Sequence, residues 1–166
     1  MNLTNKKNVT IFNQIKKSVY EMTVIFSKKC EYGLQAVLYL SAKGTGEIVS
    51  ADEIAKKLNI PKEFVSKILQ SLTESGLVNS KKGKAGGFSL AKEPSKIRLI
   101  DIVAAIDGLG IFNTCVLGFP HCSPDNPCPL HEKWGPLRSS AYNMLTEQTL
   151  DELKEKTLSK IAHLEA

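Results

Sequence analysis

The chain of 166 residues lacks any apolar run of the roughly eighteen residues that a membrane-spanning helix needs. It also lacks the features of a secretory signal, because the apolar stretch at residues 24–26 is short and no small-residue cleavage site follows it. C-x-x-C redox pairs, phosphate-binding loops and nucleophile–base motifs are missing as well. We therefore expect a cytoplasmic protein that is neither an enzyme nor a membrane protein.

Cysteine is scarce but clustered. Three of the four cysteines, Cys115, Cys122 and Cys128, follow the spacing C-x6-C-x5-C, and His131 lies three residues after the last. In a reducing cytoplasm such clustering indicates a metal or an iron–sulfur cluster rather than disulfides. Zinc sites usually pair cysteines across about two to four residues. The wider gaps favour an iron–sulfur cluster, with zinc and a metal-free thiol switch as alternatives. The remaining Cys30 is expected to be a small buried residue.

Positive charge is concentrated in the first half of the chain. Residues 27–92 carry eleven basic and six acidic side chains, a net charge of +5, whereas residues 93–166 carry seven basic and ten acidic side chains, a net charge of −3. The basic half suits an anionic partner such as nucleic acid, although an ordinary lysine-rich surface gives the same count. Residues 1–21 are interpreted as a peripheral extension, with Met22 as an alternative start.

A helix-turn-helix is predicted after a first buried helix over about residues 27–42. Ser50 and Glu53 match a capping box, which opens a short helix. Pro61 suits the first turn of the next helix, which Gly76 ends. Two short helices joined by a tight turn make a helix-turn-helix. The second helix is expected to bury Phe64, Val65, Ile68, Leu69 and Leu72 and to turn Lys62, Ser66, Lys67 and Gln70 outward.

A basic hairpin follows directly. Residues 77–80 and 88–90 predict paired strands, and the turn over residues 81–87 contains three lysines and three glycines. Glycine lets the backbone approach a phosphate, and lysines displace counterions from DNA. A basic wing directly after a helix-turn-helix indicates binding to double-stranded DNA. The candidate DNA contacts are Lys28, Lys62, Ser66, Lys67, Gln70, Lys81, Lys82, Lys84 and Gly86.

The second half predicts helices on both sides of the cysteine loop. Apolar residues from Leu99 to Ile106 mark one helix, and the Pro- and Gly-rich residues 110–128 are expected to be irregular. A long helix over residues 129–148 has apolar positions at spacings of four and three, which is typical of a helix–helix seam and predicts a homodimer. A capping box at residues 149–152 opens a short terminal helix. The seam residues are Leu130, Trp134, Leu137, Ala141 and Met144.

Several stretches resemble the IscR/NsrR/CymR family of bacterial winged-helix transcription regulators. The resemblance covers about residues 27–153, through S-K-K-C-E-Y-G-L, S-A-D-E-I-A-K-K-L-N-I-P, L-T-E-S-G-L-V-N-S, G-K-A-G-G-F-S-L, the cysteine loop, C-P-L-H-E-K-W and T-L-D-E-L. It implies a homodimeric regulator with a DNA-binding module, a dimerisation helix and often a cluster in the loop between them. The expected fold is mainly α with a small β-wing. We assign residues 22–108 to the winged helix-turn-helix, 109–128 to the cysteine loop and 129–166 to the dimerisation helix and tail.

The resemblance also implies ligands. By position, Cys115, Cys122 and Cys128 are the cluster thiolates, and His131 completes a [2Fe–2S] site, which is favoured over [4Fe–4S]. Glu31 resembles an acidic ligand that the partner subunit donates in other branches, and it is the alternative fourth ligand. The implied function is a regulator, most simply a repressor, that senses cluster status, iron, redox state or nitric oxide.

Overall fold

The computed structural model describes residues 25–163, so the expected extension of residues 1–21 and Met22 lie outside the described part. The expectation of a mainly helical fold with a small antiparallel sheet is confirmed. Between residues 25 and 163, none of the helices is long and apolar enough to cross a membrane. The helices are α1 (Lys28–Lys43), α2 (Ala51–Leu58), α3 (Lys62–Glu74), α4 (Leu99–Ile106), α5 (His131–Glu147) and α6 (Leu150–Ala162), and the strands are β1 (Val78–Lys81) and β2 (Gly87–Leu90).

Helix α1 lies at the centre of the main core. It begins where the Ser27 hydroxyl accepts a hydrogen bond from the Cys30 amide at 3.1 Å, which satisfies one of the free amides of the first turn. Its buried face packs against α3, α4 and α6. The predicted first buried helix is therefore confirmed, and Tyr39 is among its buried residues.

The two helices of the predicted helix-turn-helix are present as α2 and α3. The Ser50 hydroxyl accepts from the Glu53 amide at 3.1 Å, so the first half of the predicted capping box is formed. The second half is wrong, because the Glu53 carboxylate accepts from the Tyr39 hydroxyl and pairs with Lys43, both at 2.9 Å. The buried phenol needs a partner for its hydroxyl, and Glu53 is the acceptor within reach.

Phe64 contradicts the sequence pattern, which predicts it in the core. Its side chain is 54% exposed. The four other predicted core residues of α3 are all buried and form the stripe that begins at Val65. One residue corresponds to about 100° around a helix, so Phe64 lies off that stripe. Its ring instead meets the Tyr32 ring edge-on, with centroids 6.3 Å apart. An aromatic side chain therefore lies outward on the first turn of α3.

The predicted wing forms as an antiparallel pair of strands. The register runs from Val78 opposite Leu90 to Lys81 opposite Gly87. Val49 extends this sheet through two backbone hydrogen bonds of 2.8 Å with Phe88. A Cβ atom at Gly87 would lie 2.4 Å from the carbonyl oxygen of Val49, so only glycine permits this close approach.

A second hydrophobic cluster joins the cysteine-containing half to the DNA-binding half. It combines side chains from α1, α4 and α5 with Phe112, which lies on a short 3-10 helix over Leu109–Asn113. The expectation of an irregular loop holds from residue 114 to residue 130, whereas its start forms this 3-10 helix, from which Phe112 packs into the cluster. The cluster consists of Cys30, Ile100, Val103, Phe112 and Leu145.

The C-terminal helix α6 completes the main core. Its Leu150 and Ile161 are buried there, and the helix packs along α1. The predicted capping box is confirmed, since the Thr149 amide donates to the Glu152 carboxylate at 2.8 Å and the Glu152 amide donates back at 3.4 Å. Arg98 and Thr149 form an isolated β-bridge, and one backbone hydrogen bond on each side of it joins the end of α5 to the start of α4.

Candidate metal centre and DNA-binding surface

Three thiols converge in the loop that precedes α5. The Sγ atoms of Cys115, Cys122 and Cys128 all lie within 4.8 Å of one another, and each residue is half-buried. The Sγ atoms of Cys115 and Cys128 are 3.4 Å apart. Local turns allow this convergence, because the Gly118 amide donates to the Cys115 carbonyl at 3.0 Å and folds the chain back after the first cysteine.

His131 brings an imidazole to the thiols. It is the first residue of α5, which begins two residues later than predicted, and its amide donates to the Cys128 carbonyl at 3.0 Å. Its Nδ1 atom lies 3.2 Å from the Sγ atom of Cys122. The three sulfur atoms therefore lie within 4.8 Å of one another where the loop enters the long helix, and the His131 nitrogen meets this group at Cys122 without lying as close to all three.

Trp134 holds the other end of the loop. Its Nε1 donates a hydrogen bond to the Thr114 carbonyl at 3.2 Å, and both residues line the same small pocket as the three thiols. Trp134 thus holds Thr114, the residue before Cys115, to the first turn of α5, which also carries the imidazole of His131. The sequence pattern places Trp134 only in the apolar seam and misses this contact. The spacing of three residues from His131, which puts both on one side of the helix, was the available signal.

The thiols differ in acidity. Partial burial opposes ionisation of Cys115, but hydrogen bonds from the backbone amides of Leu117 and Phe119 and from the neighbouring thiols outweigh it, so the pKa of Cys115 is lowered. Burial, together with the thiols of Cys115 and Cys122, raises the pKa of Cys128. Cys115 is therefore the first of the two to become a thiolate, which is the form that binds metal.

This donor set fits a metal or an iron–sulfur group. Thiolate and imidazole are the ligands that zinc and iron–sulfur clusters take in proteins. Backbone amides directed at a ligand sulfur, as at Cys115, are the kind of outer contact that orients such ligands. Three close cysteines can thus hold a metal, and the geometry is compatible with either group.

Three further side chains are not members of the group of three thiols. Glu31 pairs with Lys28 at 2.8 Å on α1, and within residues 25–163 of one chain it is not part of the thiol group. Cys30 is fully buried, as expected, and this burial together with the Asp107 carboxylate raises the pKa of its thiol to about 12. His121, the residue before Cys122, is exposed and has a positive φ of 55°, and it lines a surface pocket together with Cys115 and Cys122.

The outward side of α3 carries the polar residues proposed from its pattern. Lys67 and Gln70 are exposed, and Ser66 is half-buried. Lys62 is exposed and lies 3.4 Å from the Asp52 carboxylate. Together with Phe64, these side chains form a mixed polar and aromatic surface along the first turns of the helix.

The wing carries three exposed basic residues. Lys81, Lys82 and Lys84 are exposed, and none has a carboxylate partner in the part of the chain that the structure describes. Gly86 lies half-buried at the base of the turn. Lys28 differs, because it pairs with Glu31 and lies over the Tyr32 ring at 5.2 Å.

Helix α5 divides its apolar residues between two sides. Leu145 is 3% exposed and packs into the second cluster, whereas Leu137 is 63% and Met144 54% exposed. Leu130 is exposed as well, and Trp134 and Ala141 are half-buried. The predicted seam is thus largely uncovered in the single chain, as a surface for another helix would be.

A winged helix-turn-helix with a basic hairpin and a thiol-rich loop defines a class of protein, the DNA-binding transcription regulators with a potential metal site. Residues 26–156 match the Rrf2 family, which is described as iron-dependent transcriptional regulators. The chain belongs to that family, whose members are regulators rather than enzymes.

Curated relatives carry the same type of name. An HTH-type transcriptional regulator of Aquifex aeolicus is 41% identical over 133 residues, which cover 78% of this chain and 91% of the relative. A Mycobacterium tuberculosis protein named in the same way is 34% identical over 126 residues, covering 75% and 77%.

Two solved structures support the fold. CymR of B. subtilis, named as a global cysteine regulator, aligns with a TM-score of 0.65 at 26% identity and covers 79% of this chain and 96% of its own. IscR of T. potens aligns with a TM-score of 0.58 at 29% identity, covering 78% and 86%. The family resemblance found in the sequence motifs is therefore confirmed.

Proposed function

We propose that the chain is a homodimeric, sequence-specific transcription regulator, most simply a cytoplasmic repressor, whose DNA affinity is controlled by an iron–sulfur cluster. The observation that carries the proposal is the convergence of three thiols and one imidazole at the start of α5. This convergence occurs in a chain that also has a helix-turn-helix and a basic wing.

The proposed ligands are Cys115, Cys122, Cys128 and His131. Their one imidazole favours a [2Fe–2S] site over [4Fe–4S], because histidine replaces cysteine on one iron in known [2Fe–2S] centres. When bound, such a cluster supplies a redox-active group that oxidants, nitric oxide or iron shortage can alter. The half-buried thiols leave the site accessible to such small molecules.

The link to DNA runs through α5. Ligation would hold the loop of residues 109–128 against His131, while Trp134 already holds Thr114. The same helix packs through Leu145 onto α1 and α4 of the DNA-binding unit. Ordering the loop therefore biases the pose of α5, and in a dimer it biases the spacing of the two reading helices.

The proposed DNA contacts divide by element. On α3, Lys62, Ser66, Lys67 and Gln70 are suited to base edges and phosphates of the major groove. On the wing, Lys81, Lys82, Lys84 and the backbone at Gly86 are suited to phosphates and a narrow groove. Lys28, at the start of α1, is proposed as a backbone contact. We assign this work to residues 22–108 and dimerisation to residues 129–166.

Anaerobic purification tests the cofactor. We expect a coloured protein with visible absorption, and iron and acid-labile sulfide in equal amounts. A colourless protein that contains zinc, or no metal, would refute the cluster. The colourless, metal-free result would favour a thiol switch, for which the 3.4 Å between the sulfur atoms of Cys115 and Cys128 is the supporting observation.

Three single variants test the fourth ligand. His131→Ala should change the absorption spectrum of the cluster and speed its loss, because it removes the nitrogen that lies 3.2 Å from the Cys122 sulfur. Glu31→Ala tests the alternative ligand from the partner subunit. His121→Ala is the matched control, since it removes an exposed imidazole of the same loop. An unaltered spectrum in His131→Ala would remove that residue from the ligand set.

Trp134→Phe tests how the loop is held. The phenyl ring keeps most of the packing but cannot donate to the Thr114 carbonyl. The lost bond contributes about 1 kcal/mol, so iron transfer to a chelator should become about fivefold faster. Trp134 is the only tryptophan of the chain, so its fluorescence in the native protein should change on cluster loading. An unchanged transfer rate would show that the bond does not position the loop.

A further inference from the structure

A second cavity lies apart from the thiol site on which the proposed function rests. It is a groove of about 460 Å³ where α1, the end of α2 and α6 meet. This volume lies within the range of about 300–1,000 Å³ found for small-molecule sites. None of its lining residues belongs to the thiol pocket. Its apolar lining consists of Leu38, Leu58, Leu153 and Ile161.

Two lysines give the groove a positive rim. Lys156 and Lys160 lie one turn apart on α6, and both line the groove. Like charges at this spacing on a helix repel each other. Glu152, the acid one turn before Lys156, is engaged by the Thr149 amide at 2.8 Å. Across residues 25–163, neither lysine has a carboxylate within 4.0 Å. The groove therefore combines an apolar floor with uncompensated positive charge.

We propose that this groove binds a small amphipathic carboxylate. The apolar chain would lie on the leucine-rich floor, and the carboxylate would lie between Lys156 and Lys160, where it relieves their repulsion. The N-terminal segment of the protein is a poorer occupant, because residues 1–26 carry four lysines and one glutamate, a net charge of +3. It would bring positive charge to a positive rim.

The position of the groove connects it to the reading unit. Leu58 ends α2, the first helix of the helix-turn-helix, and Leu38 lies on α1, which packs against α3. A ligand there contacts the elements that support α3. Its binding is therefore linked to the pose of α3, independently of the thiol site.

Calorimetric titration of the full chain with octanoate, without DNA, tests the proposal. Octanoate should bind saturably at one site per chain, and uncharged octanol should bind about tenfold more weakly, because it lacks charge-assisted hydrogen bonds. The double variant K156Q/K160Q should bind octanoate about tenfold more weakly than the native chain does. Lys154→Gln is the matched control, because Lys154 lies on α6 but does not line the groove, and it should bind as the native chain does.

Two results would overturn the proposal. One is the absence of saturable octanoate binding by the folded full chain. The other is equal affinity in the native chain and in K156Q/K160Q, which would place octanoate elsewhere, such as at a contact between copies. Thermal unfolding without octanoate shows whether both variants are folded. Octanoate should raise the melting temperature of the native chain and of Lys154→Gln, but not that of K156Q/K160Q. Failure of the iron or DNA experiments would leave these outcomes unaffected.

Discussion

Replacing both Lys82 and Lys84 with alanine should make DNA binding less sensitive to salt. The two ammonium groups lie at the exposed tip of the wing and have no carboxylate partner among the described residues. They are therefore free to displace counterions from DNA phosphates. The double variant keeps Lys81 and all glycines of the turn, so the hairpin itself should still form.

The size of the effect follows from the number of phosphates released. Each contact contributes about 0.9 to the slope of the logarithm of the binding constant against the logarithm of salt concentration. Loss of two contacts lowers the slope by about 1.8 for one bound wing and by about 3.6 for a dimer that uses both wings. Between about 50 mM and about 200 mM salt, the native protein should thus lose about 12-fold or about 150-fold more affinity than the variant.

Gel-shift or anisotropy titrations on one operator at several salt concentrations measure this slope. The difference between the two expected values also reports whether two wings are engaged. The matched control is K96A/K154A, which removes two positive charges outside the proposed contact set and outside the groove lined by Lys156 and Lys160. An unchanged slope in K82A/K84A would refute wing contacts with phosphate. An equal fall in the control would show that overall charge, and not the wing, sets the salt dependence.

Further predictions concern packing and thiol chemistry. Thiol titration of the metal-free protein near neutral pH should show three accessible thiols and one protected thiol, because Cys30 is fully buried and its pKa is raised to about 12; four accessible thiols would contradict its burial. Folding raises the pKa of Cys30 from 9.0 to about 12, mainly because the thiol is buried. Its contribution to the free energy of unfolding should therefore be constant below pH 9 and should fall as pH rises toward 12. Gly87→Ala should lower stability by about 1–3 kcal/mol, because its Cβ would meet the Val49 carbonyl. Gly110→Ala, with open space around it, is the control, and equal melting temperatures for both variants would contradict the close approach.

Much of the architecture could be predicted from local sequence patterns. Helix starts at Ser50 and Thr149 depend on side chains that bond to amides three residues away. The strand pair depends on a short glycine-rich turn between apolar residues. These signals require only near neighbours in the chain, so periodicity and capping were sufficient to find them. The same holds for the three cysteines and His131, which share one short stretch.

The errors arise where distant segments meet. Phe64 has an apolar side chain within an apolar run, but the direction of the core is set by α1, and this direction leaves Phe64 outside. Glu53 sits at a capping-box position, but the buried Tyr39 hydroxyl from another helix competes for its carboxylate. The sequence patterns of α2 and α3 do not contain the positions of these contacts with α1.

The amino-acid sequence alone determined the class of this protein: a basic winged helix-turn-helix, a thiol-rich loop and a long amphipathic helix. Short-range spacing and charge are properties of the linear chain, and they specify these units. Only the tertiary structure decided how the units are joined. It brought the Nδ1 atom of His131 to 3.2 Å from the Cys122 sulfur and the indole of Trp134 to the Thr114 carbonyl. Such contacts depend on how the loop packs against α5, which is settled only when the separate segments bury their apolar surfaces together.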